Sequence, residues 1–338
     1  MYKRVLTASL ATLTIAGLSA CAQTSGAKGG YGAQLEGFTY PYPVQRLAIE
    51  SQGAPLSMAY MDVAPTAAAN GRTVVLLHGK NFCSATWEQT ISTLAQAGYR
   101  VIAPDQIGFC ASSKPQNYQF SFQQLAVNTA TLLKDRGVER ATIVGHSMGG
   151  MLATRFALMY APMVEQLVMV NPIGLEDYQA AGVPYATLDE TYRKELATTR
   201  DSIRDYQNRF YYDNNWKPEY DKWVDMLAGM YAGPGREQVA DNAARTADMI
   251  FTQPVVHEFP NVRVPTVVMI GQRDRSAPGA NRAPKPIADQ LGNYPQLGQR
   301  TAQAIPGAQL VEFMDLGHSP QVESPERFHR ALLDFLPR

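Results

Sequence analysis

The stretch ATIVGHSMGGMLATRFA, residues 141–157, decides how this chain is read. Its first five residues form a short, β-branched apolar run that reads as a buried strand, and the pattern from Ser147 to Ala161 reads as a helix. Between them, Gly145-His146-Ser147-Met148-Gly149 makes a turn so tight that a side chain two positions to either side of the serine would clash. That turn lifts the Ser147 hydroxyl over a helix N-terminus, whose free N–H groups and dipole favour negative charge developing there.

Working outward, residues 72–79 (RTVVLLHG), 99–105 (YRVIAPD), 164–172 (VEQLVMVNP), 262–271 (VRVPTVVMIG) and 308–315 (AQLVEFMD) read as further buried strands. Helical patterns separate most of them. Strand and helix alternating in this way predict a mostly parallel sheet covered on both faces. The alternating runs PVQRLAIESQ and APLSMAYMDVA predict an antiparallel hairpin at its start, and PERFHRALLDFL a closing helix. Between Asn171 and Asn261 the strand rhythm vanishes, and the sequence turns polar and helix-prone. This insert carries Tyr178, Tyr185, Tyr192, Tyr206, Phe210, Tyr211, Tyr212, Trp216, Tyr220, Trp223 and Tyr231 and reads as a helical cap. Its rings either line an apolar substrate pocket or form the cap's own small core; the sequence leaves both open.

A serine hydroxyl needs a base, and five histidines compete for that role. His78 sits in a strand-end turn and is expected to brace its loop; His146 should point away from its neighbour Ser147. His257 closes the cap, and His329 lies on the last helix, where a surface or satisfied polar role is expected. His318 follows a strand in LGHSPQVESPERF, which puts its imidazole at the carboxyl edge of the sheet, beside Ser147. The carboxylate that orients it is assigned to Asp274, after the strand VPTVVMIG. The alternative position, Asn171, carries no charge, and Asp315 reads as solvated. The expected order is therefore Ser147, Asp274, His318.

These motifs together make the chain resemble the α/β-hydrolase fold superfamily, in its lidded serine hydrolase, esterase-like branch. The resemblance runs from about Pro43 to Arg338 and includes His78-Gly79, Asp105-x-x-Gly108 with Ser112, Gly271-x-x-Asp274, and Gly317-His318 followed by Pro320, Glu323, Pro325, Glu326 and Phe328. It implies an eight-stranded, mostly parallel sheet with helices on both faces and a cap. The core is expected at 43–171 and 261–338 with the cap at 172–260, while the residues themselves read as a signal peptide at 1–20 and a flexible, Gly- and Ser-rich tether at 21–42. The resemblance also implies an oxyanion hole built from the backbone N–H groups of Met148 and Lys80. Two features depart from the family pattern. Lys80 puts a cation where relatives have a small or apolar residue, either to assist the oxyanion or, the preferred reading, to pair with a carboxylate. Cys110 stands where relatives usually have a glycine, and because this fold makes their two strands neighbours, a Cys83–Cys110 disulfide is expected to staple the oxyanion loop to the next active-site loop. Serine at the elbow counts against dehalogenases and epoxide hydrolases. Esterases, perhydrolases, aminopeptidases and C–C hydrolases remain, as does a non-catalytic ligand receptor on the same fold. No metal or organic cofactor is implied.

Composition bounds the partners. Of 338 residues, 45% are hydrophobic and 18% charged, enough to bury a large core. Thirty basic residues balance thirty acidic ones, so no basic stripe invites nucleic acid; a small-molecule substrate is expected instead. Lys3 and Arg4, an apolar run to Leu18, and Leu18-Ser19-Ala20-Cys21 read as a lipoprotein export signal, with Cys21 as the lipid anchor and a periplasm-facing membrane address. Ordinary cleavage after Ala22 is the alternative. Without residues 1–20 the chain keeps 28 basic against 30 acidic residues, so attachment would rest on lipid rather than charge.

Overall fold

A computed structural model describes residues 30–337. The export signal, Cys21 and the first part of the expected tether lie outside them. Eight strands form one sheet in the order β1-β2-β4-β3-β5-β6-β7-β8. β1 (Val44–Ser51) and β2 (Ala54–Val63) make the antiparallel hairpin, and β2 also runs antiparallel to β4 (Arg100–Pro104). The other pairings, through β3 (Thr73–Leu77), β5 (Ala141–His146), β6 (Val164–Val170), β7 (Thr266–Gly271) and β8 (Gln309–Phe313), are all parallel. Every residue of β5 and β7 is buried, as continuous apolar runs require when both faces of a sheet are covered.

Two cores follow from that geometry. On one face, Trp87 and the helix α1 (Glu88–Gln96) pack with the closing helix Pro325–Phe335 against Val74, Val101 and Val168. The other face is covered by α2 (Phe122–Asp135) and α3 (Met148–Met159), whose apolar residues join those of the cap in one continuous cluster. Ser121 ends the loop before α2 by accepting a hydrogen bond from the Gln124 N–H at 3.0 Å. Among the described residues no strand lies between Val170 and Thr266. Instead α4 (Leu188–Leu196), α5 (Arg200–Phe210), α6 (Asp221–Ala232) and α7 (Arg236–Thr252) cover the carboxyl edge.

The tether reading does not hold for residues 30–42. Leu35 is buried, Tyr31 and Phe38 pack edge to face, and the Tyr31 N–H donates to the Gly229 carbonyl of α6 at 2.7 Å. Gly229 and Gly233 are glycines for this reason: a Cβ at Gly229 would meet the Tyr31 ring at 2.2 Å, and one at Gly233 the Tyr31 carbonyl at 1.7 Å. Aromatic residues spaced along a Gly-rich stretch dock it where composition alone suggested a linker. No helix of the described residues is long and apolar enough to cross a membrane.

His329 is buried rather than at the surface, and its two ring nitrogens are taken by Thr90 at 2.9 Å and Thr93 at 3.2 Å. Burial lowers its pKa from 6.5 to about 4. The unfolded chain therefore binds a proton that the fold refuses, so stability present above pH 6.5 is lost as the pH falls toward 4, by on the order of 3 kcal/mol. Replacing His329 with Gln should flatten the fall in melting temperature between those two pH values; an unchanged acid limb in calorimetry would assign the acid sensitivity to other groups.

Candidate active site

The bend between β5 and α3 is as tight as its glycines require. Ser147 has φ 57° and ψ −122°, a left-handed conformation that a side chain rarely adopts. A Cβ at Gly145 would fall 2.1 Å from the Gly149 carbonyl oxygen, and one at Gly149 2.2 Å from the Leu77 carbonyl oxygen. Hydrogen bonds fix the bend from both sides: the Ser147 N–H donates to Val170 O at 3.1 Å, and the Ser147 carbonyl accepts from Gly150 at 2.9 Å. Gly79, at the end of β3, lies directly against the serine. A Cβ there would meet Ser147 Cβ at 2.9 Å and Oγ at 3.4 Å. The N–H of Met148, at the start of α3, and that of Lys80, after Gly79, thus belong to the two segments that flank the hydroxyl.

His318 and Asp274 meet, both fully buried. Nδ1 of the imidazole lies 2.6 Å from Asp274 Oδ2, while Nε2 has no hydrogen-bond partner from the protein. The same Asp274 oxygen accepts from Asn171 Nδ2 at 3.0 Å, and Oδ1 accepts from the Ser276 N–H at 2.7 Å. Asn171, set aside as uncharged, is therefore a support: its Oδ1 also accepts from the Gly271 N–H at 2.8 Å. Its place at the carboxyl end of β6, one strand from Asp274, was the available signal. Asp315 is exposed and paired with Arg327.

Three further groups hold the His318 loop. Glu323 accepts from the N–H groups of Gly317, at 2.9 Å, and Ser319, at 3.1 Å, on either side of the histidine. Burial raises its carboxyl to about 7, with those N–H groups opposing the rise. His146 turns toward this loop: its Nε2 is 2.8 Å from the His318 carbonyl, and the two rings are 4.8 Å apart. Burial keeps that imidazole well below its ordinary range, and the neutral ring donates to the carbonyl. From the cap, the Tyr211 carbonyl accepts the His318 N–H at 2.8 Å.

The loop that follows β3 is clamped as firmly. Cys83 and Cys110 are bonded, with Cα atoms 5.8 Å apart. The buried Asp105 carboxylate spans the same two loops one residue further on, accepting from Ser84 N–H at 2.8 Å and Ala111 N–H at 3.0 Å, with the Tyr40 hydroxyl also donating to it. His78 braces the turn, its Nδ1 on Gly79 O at 2.9 Å and its Nε2 accepting from the Gln106 N–H at 3.1 Å. Lys80 pairs with a carboxylate: Nζ is 2.8 Å from Glu195 Oε1 of α4, and Tyr231 donates to the other oxygen at 2.6 Å. Burial pushes the Glu195 carboxyl up, but the Lys80 charge and both hydrogen bonds outweigh it and hold the group ionised. Beside this pair lies a cavity of about 30 Å³ bounded by Lys80, Phe82, Cys110, Lys114, Met230 and Tyr231. Of the other cap aromatics, Tyr178, Tyr212, Tyr220 and Trp223 are buried, Tyr212 and Tyr220 stacking at 4.0 Å, whereas Tyr185 and Tyr206 are exposed. His257 is exposed and paired with Asp177.

Comparison with known proteins agrees with this architecture. The alpha/beta hydrolase family matches residues 74–331. A probable hydrolytic enzyme of Pseudomonas aeruginosa PAO1 is 60% identical, superposes with a TM-score of 0.90, and is aligned over 91% of this chain and 99% of its own. A 2-hydroxymuconate semialdehyde hydrolase of Pseudomonas putida is 29% identical over 70% of this chain and 76% of its own length. A 2-hydroxy-6-oxononadienedioate/2-hydroxy-6-oxononatrienedioate hydrolase of Paraburkholderia phymatum is 29% identical over 84% of this chain and 92% of its own.

The two parallel clamps divide their work. Losing the disulfide, which closes 27 residues of chain, should lower unfolding free energy by about 3 kcal/mol. Asp105 still ties the loops, so a Cys83→Ala, Cys110→Ala protein should melt earlier yet retain most of its turnover well below the melting point. Asp105→Asn, which puts a donor where an acceptor is needed, should lose more turnover than the double cysteine variant. The reverse order in paired calorimetric and kinetic measurements would show the disulfide to be the controlling clamp.

Proposed function

The chain belongs to the alpha/beta hydrolase family, and on that premise we propose that it is a serine hydrolase working by acyl transfer through Ser147, His318 and Asp274 on small, largely apolar ester-like substrates. The observation that carries this reading is the state of the His318 ring. One nitrogen is closed by Asp274 and the other is buried without a protein partner, in a loop bonded to the residue beside Ser147. An unpaired buried polar atom costs about 1–3 kcal/mol. A base kept free to take a serine proton accounts for that cost.

In the proposed cycle Ser147 Oγ attacks the carbonyl carbon as its proton passes to His318 Nε2. The oxyanion is received by the N–H groups of Met148 and Lys80, at the start of α3 and on the clamped loop. Asp274 holds the ring tautomer and stabilises the imidazolium, which then protonates the leaving group; water repeats the attack and frees the acid. Lys80 assists through its backbone, since its ammonium is engaged with Glu195.

A second reading has its own support. The curated relatives are named for 2-hydroxymuconate semialdehyde and for 6-oxo-dienedioates. Those names contain no ester or amide, so hydrolysis of such compounds must cut a C–C bond beside a carbonyl. The same serine, base and oxyanion hole serve that reaction, with a stabilised carbanion leaving in place of an alkoxide. The N-terminal sequence further supports an exported protein anchored by lipid on Cys21 at a periplasm-facing membrane.

Ser147→Ala and His318→Ala should each lower turnover by about a thousandfold or more, and a fluorophosphonate should add its mass to Ser147 alone. The bond is decided by comparing kcat/KM for p-nitrophenyl esters of rising chain length with that for a 2-hydroxy-6-oxo-dienoate. Preference for short esters supports the main reading, and preference for the dienoate the second. Full activity of the Ser147→Ala protein on both would refute the serine mechanism.

A further inference from the structure

One cap residue touches both halves of the site. Tyr211, where α5 ends, is buried with its ring 4.3 Å from the His318 ring at an interplanar angle of 31°. Its hydroxyl accepts from Asn81 Nδ2 at 2.9 Å, in the residue that follows Lys80. Its carbonyl accepts the His318 N–H, and it lies so close to Gly317 that a Cβ there would come within 2.0 Å of it. Immediately beyond, Asp213 and Asn214 both adopt positive φ, 48° and 60°, turning the chain back so that Lys217 reaches the Glu323 carbonyl at 3.3 Å. This segment of the cap is thus docked on the histidine loop at two points, and by the Tyr211 side chain on the oxyanion loop.

We propose that Tyr211 is a positioning residue that couples cap closure to catalysis: its ring holds and faces the His318 imidazole while its hydroxyl, through Asn81, holds the loop carrying the Lys80 N–H. This inference rests on the acyl-transfer reading above. The physical basis is twofold. An aromatic face attracts positive charge, so the tilted ring beside His318 favours the imidazolium that forms as the serine proton arrives. A flat ring on one side of a buried imidazole also removes its freedom to rotate away from Asp274 and Ser147, and orientation of that kind is worth most in the transition state. Cap opening would carry Tyr211 off both loops and leave the base and the oxyanion donors loosened together.

The test uses the full chain and the best substrate found above. Tyr211→Leu removes ring and hydroxyl and should lower kcat about tenfold or more with KM within about twofold, because the interaction matters in the transition state. Tyr211→Phe keeps the ring and should recover most of that loss. Trp223→Leu, at a buried ring on α6, controls for general loosening of the cap and should leave kcat unchanged well below its melting point. Should Tyr211→Leu fail to fold, the cycle of Tyr211→Phe with Asn81→Ala still decides: both single losses should be modest, and the double variant no worse than either. A Tyr211→Leu protein with unchanged kcat, a loss confined to KM, or additive losses in the cycle would overturn the proposal. If Ser147→Ala is itself active, the acyl-transfer reading has failed rather than the role of Tyr211.

Discussion

A left-handed serine between two glycines that admit no side chain is the constraint from which the rest of this structure follows. Strain at one residue persists only when its surroundings overdetermine it. Here the surroundings are the central strands of the sheet: β5 lies between β3 and β6, the Ser147 N–H is bonded to the end of β6, and the Gly149 position rests on the end of β3. Buried apolar strands thus supply the rigidity, and the bend presents a hydroxyl at their carboxyl edge.

Around that bend, nearly every loop is held by a buried polar group with a specific partner. Asp105, His78, Asn171, His146 and Glu323 each join backbone segments that contribute to the site. Buried polar groups are costly unless paired, and a fully paired network fixes one loop arrangement where an apolar core would tolerate several. The disulfide adds a covalent clamp between loops that Asp105 already joins. Preorganisation of this kind suits chemistry in which charge develops briefly and the donors must already be in place.

Much of the framework was legible because it is local. The alternation of β-branched runs and helical patterns marks the parallel sheet, and each strand core lies within the stretch read for it, although several strands are shorter than their apolar runs; residues 262–265, for example, precede β7. The bend at Ser147 was readable from its glycines, and the meeting of His318 with Asp274 from their positions just after strands. What escaped was of another kind. The docking of residues 30–42 was missed because Gly, Ala and Gln resemble a linker, whereas Tyr31, Leu35 and Tyr40 do the packing. Asn171 carries no charge to orient an imidazole, yet an amide that donates to a carboxylate and accepts from the backbone serves as a support.

By itself the sequence determined the layered fold, the nucleophile-type bend and the residue types at the edge of the sheet, because these depend on side-chain periodicity and on the steric demands of single turns. Only the tertiary structure decided which side chains meet across large separations: Lys80 with Glu195, Asn171 with Asp274, Glu323 with the turns around His318, and Tyr211 with both loops at once. The first and last of these are set by how the cap lies on the core, the other two by which loops meet at the edge of the sheet. That arrangement arises from the summed packing of many weak apolar contacts, which no short stretch of sequence contains.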